Sequence, residues 1–173
     1  MAEPRKILSE GRLRGSDILI FVTVGQHPQP FDRLIRAVDE LKEPVLAEIG
    51  CSAYVPKNCR WERFMERSEF IRSCRDADVV VTHGGVGSII TALEFGRPVV
   101  AVPRLSRYGE HSNDHQLDIV NELARAGRIV ALFDVNGLAQ AIEKARQLKP
   151  PAFSEGRIAE MVKEFLVSLE NGG

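Results

Sequence analysis

Apolar residues in this chain fall into short unbroken runs separated by stretches of helical spacing. Asp17 leads into Ile18-Leu19-Ile20-Phe21-Val22-Thr23-Val24, a run with no polar alternation, and Gly25 ends it. Such a run predicts a strand buried on both faces. After two prolines, Phe31, Leu34, Ile35, Val38 and Leu41 recur at helical spacing. A second strand is predicted over 44–50, and a third within 60–65. A short helix over 68–75 precedes a strand over 78–81. Val86 to Phe95 reads as a helix stopped by Gly96 and Pro98, with a fifth strand over 99–102. The polar stretch 103–114 leads to a helix through Leu117, Val120, Leu123 and Ala124, closed by Gly127. A strand over 128–132 and a helix over 138–148 complete the alternation.

Repeated strand–helix units of this length imply right-handed crossovers and a parallel sheet covered on both faces. The expectation is an α/β, doubly wound, Rossmann-like domain over 17–149. Residues 1–16, with four basic residues, two glycines and no apolar period, read as an N-terminal extension. Beyond Pro150-Pro151, Ile158, Met161, Val162, Phe165, Leu166 and Leu169 form the apolar stripe of an amphipathic helix within 150–173. That stripe serves either its own domain or a partner.

Composition narrows the classes. A chain of 173 residues with 44% hydrophobic and 27% charged residues is ordinary for a soluble globular protein. A net charge of −1 gives no electrostatic reason for nucleic acid or an anionic membrane as partner. Cys51, Cys59 and Cys74 are odd in number and lack CxxC spacing, which favours reduced thiols. No apolar run reaches the roughly 20 residues needed to span a bilayer. The expected location is therefore cytoplasmic.

The chemistry concentrates at two turns. Thr82-His83-Gly84-Gly85-Val86-Gly87-Ser88 carries the fourth strand into a helix. Glycines there let backbone approach a ligand closely, and the amides and dipole of a helix start attract phosphate. Ser88 serves as N-cap, phosphate contact or both, and His83 as strand-end residue or ligand contact. With the usual strand order 3-2-1-4-5-6, the ligand crevice lies between strands one and four. Gly25-Gln26 and His83-Gly84-Gly85 would then flank one crevice. No G-x-G-x-x-G follows the first strand and no GxxxxGK[ST] occurs, which argues against nicotinamide cofactors and ATP. The second cluster, from Arg104 to Gln116, emerges on the same sheet edge and suits a sugar or phosphate. His111 and His115 have no third ligand at a sensible spacing, so no metal is expected.

These residues resemble the nucleotide-sugar-binding half of GT-B glycosyltransferases. The run from Ala77 to Ser88, then Gly96-Arg97-Pro98-Val99-Val100-Ala101-Val102-Pro103 and His115-Gln116, is similar to the family 28 C-terminal domain. Phe21-Val22-Thr23-Val24-Gly25 with Phe31-Asp32 is similar to the small subunit of two-component transferases. Those act in dolichol-linked N-acetylglucosamine transfer or in bacterial exopolysaccharide synthesis, and 103–116 looks most like the bacterial group. The resemblance covers roughly residues 18–148.

It implies a UDP-sugar site with no metal or other cofactor. Gly25, Gln26, His83, Gly84, Gly85, Gly87, Ser88 and Ile89 would surround the diphosphate. His115 and Gln116 would take the donor sugar, and Phe64 and Met65 the uracil. Thr91 stands where related domains carry a glutamate for the ribose, and Glu94 lies only two residues before Gly96. GT-B enzymes need two such domains, and this chain has length for one. The expectation is therefore a donor-binding catalytic subunit of an inverting glycosyltransferase. A membrane-associated partner would supply the acceptor site for a lipid-linked sugar and recruit the chain to the cytoplasmic face of the membrane. In full-length relatives the base usually lies in the other domain, so none is assigned in this chain; His27 and His111 are the candidates if it is local. Two alternatives are a non-catalytic nucleotide-sugar-binding or scaffold module and an epimerase-like enzyme.

Overall fold

The computed structural model describes residues 20–148 and Val167. The N-terminal extension, the first residues of the opening strand and the apolar stripe of 158–169 (Val167 aside) lie outside the described residues. In chain order the elements are β1 (Ile20–Thr23), α1 (Asp32–Asp39), β2 (Val45–Glu48), β3 (Arg60–Glu62), α2 (Arg67–Asp76), β4 (Val79–His83), α3 (Val86–Glu94), β5 (Val99–Val102), α4 (His115–Arg125), β6 (Val130–Ala131) and α5 (Leu138–Gln147). Short 3₁₀ turns occupy Ser106–Tyr108 and Val135–Gly137.

The six strands among the described residues are all parallel, in the order β3-β2-β1-β4-β5-β6. This is the expected doubly wound α/β sheet, with its order reversing between β1 and β4. Successive side chains of a strand point to opposite faces, so each apolar run feeds two cores at once. Ile20, Val22, Val79, Val81, Val100 and Val102 pack with Leu34, Ile35 and Val38 of α1 and Leu138, Ala141 and Ile142 of α5. Phe21, Val80, Val99 and Ala101 pack with Cys74 of α2, Ile89, Ala92 and Leu93 of α3, and Ile119, Val120 and Leu123 of α4.

The strands differ from the sequence reading mainly in their ends. β4 runs on through Thr82 and His83, which pair with Ala101 and Val102. The glycine turn therefore begins one residue beyond the histidine. β6 is two residues long and, among the described residues, pairs with β5 alone, through Val100↔Val130 and Ala101↔Ala131. In β1, Thr23 is flanked by Glu48 on one side and Thr82 on the other. That row of polar residues marks the carboxyl edge of the sheet, where the apolar runs end.

Candidate functional site

A cleft of about 760 Å³ opens at this edge. Its floor comes from Thr23, Gly25, Gln26, Glu48 and His83 at the strand ends. Gly85, Gly87, Ser88, Ile90, Thr91 and Glu94 form one wall, and Met65, Arg67 and Phe70 the other. The order reversal thus brings the first and fourth strand turns together, as the connectivity predicts.

The glycine turn has distinct duties at each position. A Cβ at Gly85 would meet His83 Nε2 at 2.1 Å, and one at Gly25 would meet His83 Cε1 at 2.5 Å. The imidazole is thus pressed between two bare backbone segments. Gly25 also holds φ of 72°, where other residues are strained. A Cβ at Gly84 would meet Gln116 Cβ at 2.7 Å. Gly87 is different. Apart from its chain neighbours and its own helix backbone, no atom of the described residues lies within 4 Å of a Cβ built there, so packing does not demand a glycine.

At α3 the N-cap is Gly85, no side chain caps the helix, and no acidic residue occupies its first turn. The first helical bond runs from the Ile89 amide to Gly85 O at 3.2 Å. The amides of Val86, Gly87 and Ser88 precede it without intrahelical acceptors, and they carry the positive end of the helix dipole. An uncapped helix start lined by two glycines is an anion-binding arrangement.

Several predicted roles change here. Ser88 is the third residue of α3, so it is not the N-cap, although it lines the cleft. The Ile89 amide is consumed by the helix and its side chain is fully buried, which removes it from the diphosphate set. The Gly84 amide donates to Gln116 Oε1 at 3.0 Å, so Gly84 braces the turn and offers no amide to a ligand.

Gln116 Oε1 also accepts from the Arg104 amide at 3.0 Å. Both lone pairs of that oxygen are used, leaving only the side-chain NH₂ group for a ligand. Neither Gln116 nor the exposed His115 lines the cleft. Of the predicted uracil pair, Met65 lines the cleft, whereas Phe64 is half exposed and does not.

Much of the second polar cluster turns out to be loop architecture. The Arg104 side chain is fully buried. Its Nη1 donates to the carbonyls of Gln29, Pro30 and Glu110, and its Nη2 to Val24 O at 2.8 Å. Glu110 receives both Arg33 Nε and Nη2 at 2.9 Å and the Leu105 amide at 3.0 Å. Asp114 accepts from the Ser106 amide and hydroxyl. These bonds clamp the loop after β1 to the loop after β5. Desolvation pushes the Arg104 guanidinium down to about 10, with Glu110 opposing the shift. His83 is pushed down to about 4, first by burial and then by Arg104, so its ring is neutral at ordinary pH.

Sequence reading missed Glu48. Its carboxylate accepts the Thr23 hydroxyl at 2.6 Å and the Met65 amide at 3.0 Å, and it lines the cleft while buried. The signal was a charged residue closing an otherwise apolar strand, since a buried carboxylate demands partners. Arg67 and Phe70 gave no such signal, because only the fold of α2 against α3 brings them to the cleft. Thr91 and Glu94 both line it, one helical turn apart. The Thr91 hydroxyl donates to Gly87 O at 2.8 Å, and the Glu94 carboxylate is exposed.

His27 and His111 lie together at the same sheet edge, with ring centroids 4.5 Å apart. Among the described residues no group of three His, Cys, Asp or Glu side chains could hold a metal ion, and no helix is long and apolar enough to cross a membrane. A second depression of about 720 Å³ is lined by Arg36, Asp39, Tyr54 and Lys57. The Asp39 carboxylate is already bonded by the Tyr54 hydroxyl and the amides of Lys57 and Asn58, which fixes the 50–59 loop.

Comparison with known proteins gives concordant results. The sequence model of the glycosyltransferase family 28 C-terminal domain matches residues 19–168. The human UDP-N-acetylglucosamine transferase subunit ALG13 is 30% identical over 125 residues, covering 64% of this chain and 10% of that protein. The chain thus spans about a tenth of the length of the curated relatives it matches. Among solved structures, the glycosyltransferase of kitacinnamycin superposes with a TM-score of 0.59 at 17% identity, covering 85% of this chain and 39% of that one. A UDP-GlcNAc 2-epimerase from Neisseria meningitidis superposes with a TM-score of 0.56 at 14% identity, covering 90% and 45%. Likeness at such identities establishes the fold, which transferases and an epimerase share.

Proposed function

This chain belongs to the glycosyltransferase family 28 C-terminal domain family, and from that membership we propose that it is the UDP-sugar-binding catalytic subunit of a two-component inverting glycosyltransferase. The observation that carries the reading is the uncapped start of α3, with its free amides beside the open Gly87, on the wall of the cleft. A diphosphate seated there gains hydrogen bonds and the field of the helix dipole as it departs. No metal is invoked for that step.

The remaining donor parts follow from the lining. The nucleoside lies between α3 and the Met65–Phe70 wall, where the exposed Arg67 guanidinium and Phe70 ring offer charge and an aromatic face. Thr91 and Glu94 present oxygen acceptors suited to ribose hydroxyls. The human relative is a subunit of a UDP-N-acetylglucosamine transferase, which supports a second polypeptide here. That partner, associated with the cytoplasmic face of a membrane, supplies the acceptor site for a lipid-linked sugar and the base that deprotonates its hydroxyl. Transfer belongs to polysaccharide or glycolipid synthesis.

The test is calorimetric titration of UDP into wild type and Ser88→Trp, whose indole fills the space beside α3. Wild type is expected to bind UDP and the variant to lose at least about tenfold in affinity, since one charge-assisted bond alone is worth about that much. Equal affinity, or no UDP binding to wild type, would overturn the site. Transfer by this chain alone at full rate would overturn the partner.

A further inference from the structure

The loops after β1 and β5 bring two imidazoles into contact beside the cleft. His27 and His111 stack with centroids 4.5 Å apart and ring planes inclined by 31°. Each ring is held in the same way. The Gln29 amide donates to His27 Nδ1 at 3.3 Å, and the Asn113 amide donates to His111 Nδ1 at 3.3 Å. A neutral imidazole that accepts through Nδ1 carries its proton on Nε2. The pair therefore presents two neighbouring Nε2–H donors, and no hydrogen bond among the described residues engages either. Both rings are half-buried.

The charges that bear on His27 and His83 are cationic. The charges of His111 and Arg104 both oppose protonation of His27, after burial, and both histidines bear on His83. Two carboxylates stand near His111: Glu110, already shared between Arg33 and the Leu105 amide, and Asp114, which accepts from the Ser106 amide and hydroxyl and also feels Arg107 and His111. With Nδ1 occupied, neither ring offers an unprotonated nitrogen to take a proton from an acceptor hydroxyl. The arrangement suits a donor of hydrogen bonds, not a base.

We propose that His27 and His111 form a phosphate-recognising clasp, in which their two Nε2–H groups bond the oxygens of one phosphoryl group. That group comes either from the distal end of the donor's diphosphate or from a phosphate on the acceptor. The first source rests on the cleft being the donor site, whereas the second does not.

The experiment follows the two imidazole Nε2–H resonances of the full chain, labelled at histidine with ¹⁵N. Three titrations are made: UDP, inorganic pyrophosphate, and inorganic phosphate added to UDP-saturated protein. Shifts with UDP and pyrophosphate, and none with phosphate after saturation, assign the donor source. Shifts with phosphate after saturation assign the acceptor source. UDP heat with unmoved imidazoles in all three titrations overturns the clasp and leaves the cleft reading standing. Absence of UDP heat overturns the cleft reading, while pyrophosphate and phosphate still test the clasp.

Variants separate recognition from loop support. His27→Asn and His111→Asn place an oxygen near Nδ1 and keep the amide bond, but remove the Nε2–H donor. His27→Gln and His111→Gln place an NH₂ near Nε2 and give up the acceptor. Each Asn variant is expected to weaken binding of the responding anion about tenfold, with the Gln variants near wild type. The opposite order, Gln weak and Asn normal, would mean loop support alone and overturn the proposal.

Discussion

Replacing Gly87 with alanine should move stability and ligand affinity in opposite directions. Gly87 is the second residue of α3, is exposed, and, its own helix and chain neighbours apart, has no atom of the described residues within 4 Å of where a Cβ would sit. Alanine in place of glycine in a helix is worth up to about 1 kcal/mol, because the unfolded chain loses freedom and the helix gains a good former. For a chain of this size that amounts to a rise in Tm of roughly 2–4 °C. The same methyl would occupy the space beside the Val86, Gly87 and Ser88 amides, where the diphosphate approaches. Losing one bond to a charged oxygen costs about 1.5–3 kcal/mol, or roughly ten- to a hundredfold in affinity. Thermal melts without ligand and calorimetry with UDP measure the two effects separately. Unchanged UDP affinity would refute the proposed approach, and a lower Tm would refute the open geometry. Gly85→Ala is the control: its Cβ would strike His83, and stability should fall.

Two further outcomes are expected. Arg104→Met strands the carbonyls of Val24, Gln29, Pro30 and Glu110 in a buried site and should cost about 3–5 kcal/mol in urea unfolding; Arg104→Lys should recover only part, since an ammonium does not span them, and a loss below about 1 kcal/mol in the Met variant would sink the clamp. His83, held at about 4 against an ordinary 6.5, binds a proton in the unfolded chain before it does so in the folded one. Its contribution is complete above about pH 6.5 and is lost as pH falls toward 4, by up to about 3 kcal/mol. Unfolding curves at about pH 7 and about pH 4.5 for wild type and His83→Gln test this, and equal pH slopes would refute it.

Residue type and order alone carried the fold a long way. Unbroken apolar runs such as Val79-Val80-Val81 and Val99-Val100-Ala101-Val102 can satisfy their side chains only between two helical layers, so the parallel sheet and its order were legible. The glycine turn was legible for the same local reason, since a strand cannot pass into a helix start within so few residues without bare backbone. What each glycine does was not. Gly85 and Gly25 yield to an imidazole and Gly84 yields to Gln116, whereas of these four Gly87 is left open, and those contacts join residues up to 58 positions apart.

The same limit explains the polar cluster of 104–116. Composition marked it as rich in hydrogen-bonding groups, and it is. Tertiary structure decided that Arg104, Glu110, Asp114 and Gln116 direct their side chains to backbone groups, with Glu110 also paired to Arg33 and Asp114 to the Ser106 hydroxyl, leaving His27 and His111 with unengaged donors. Glu48 and Arg67 reach the cleft because β2 lies beside β1 and α2 opposite α3, an arrangement set by long-range packing. Local sequence fixes periodicity and turn chemistry, which act over a few residues. Which polar atoms remain free is settled only when distant segments have met.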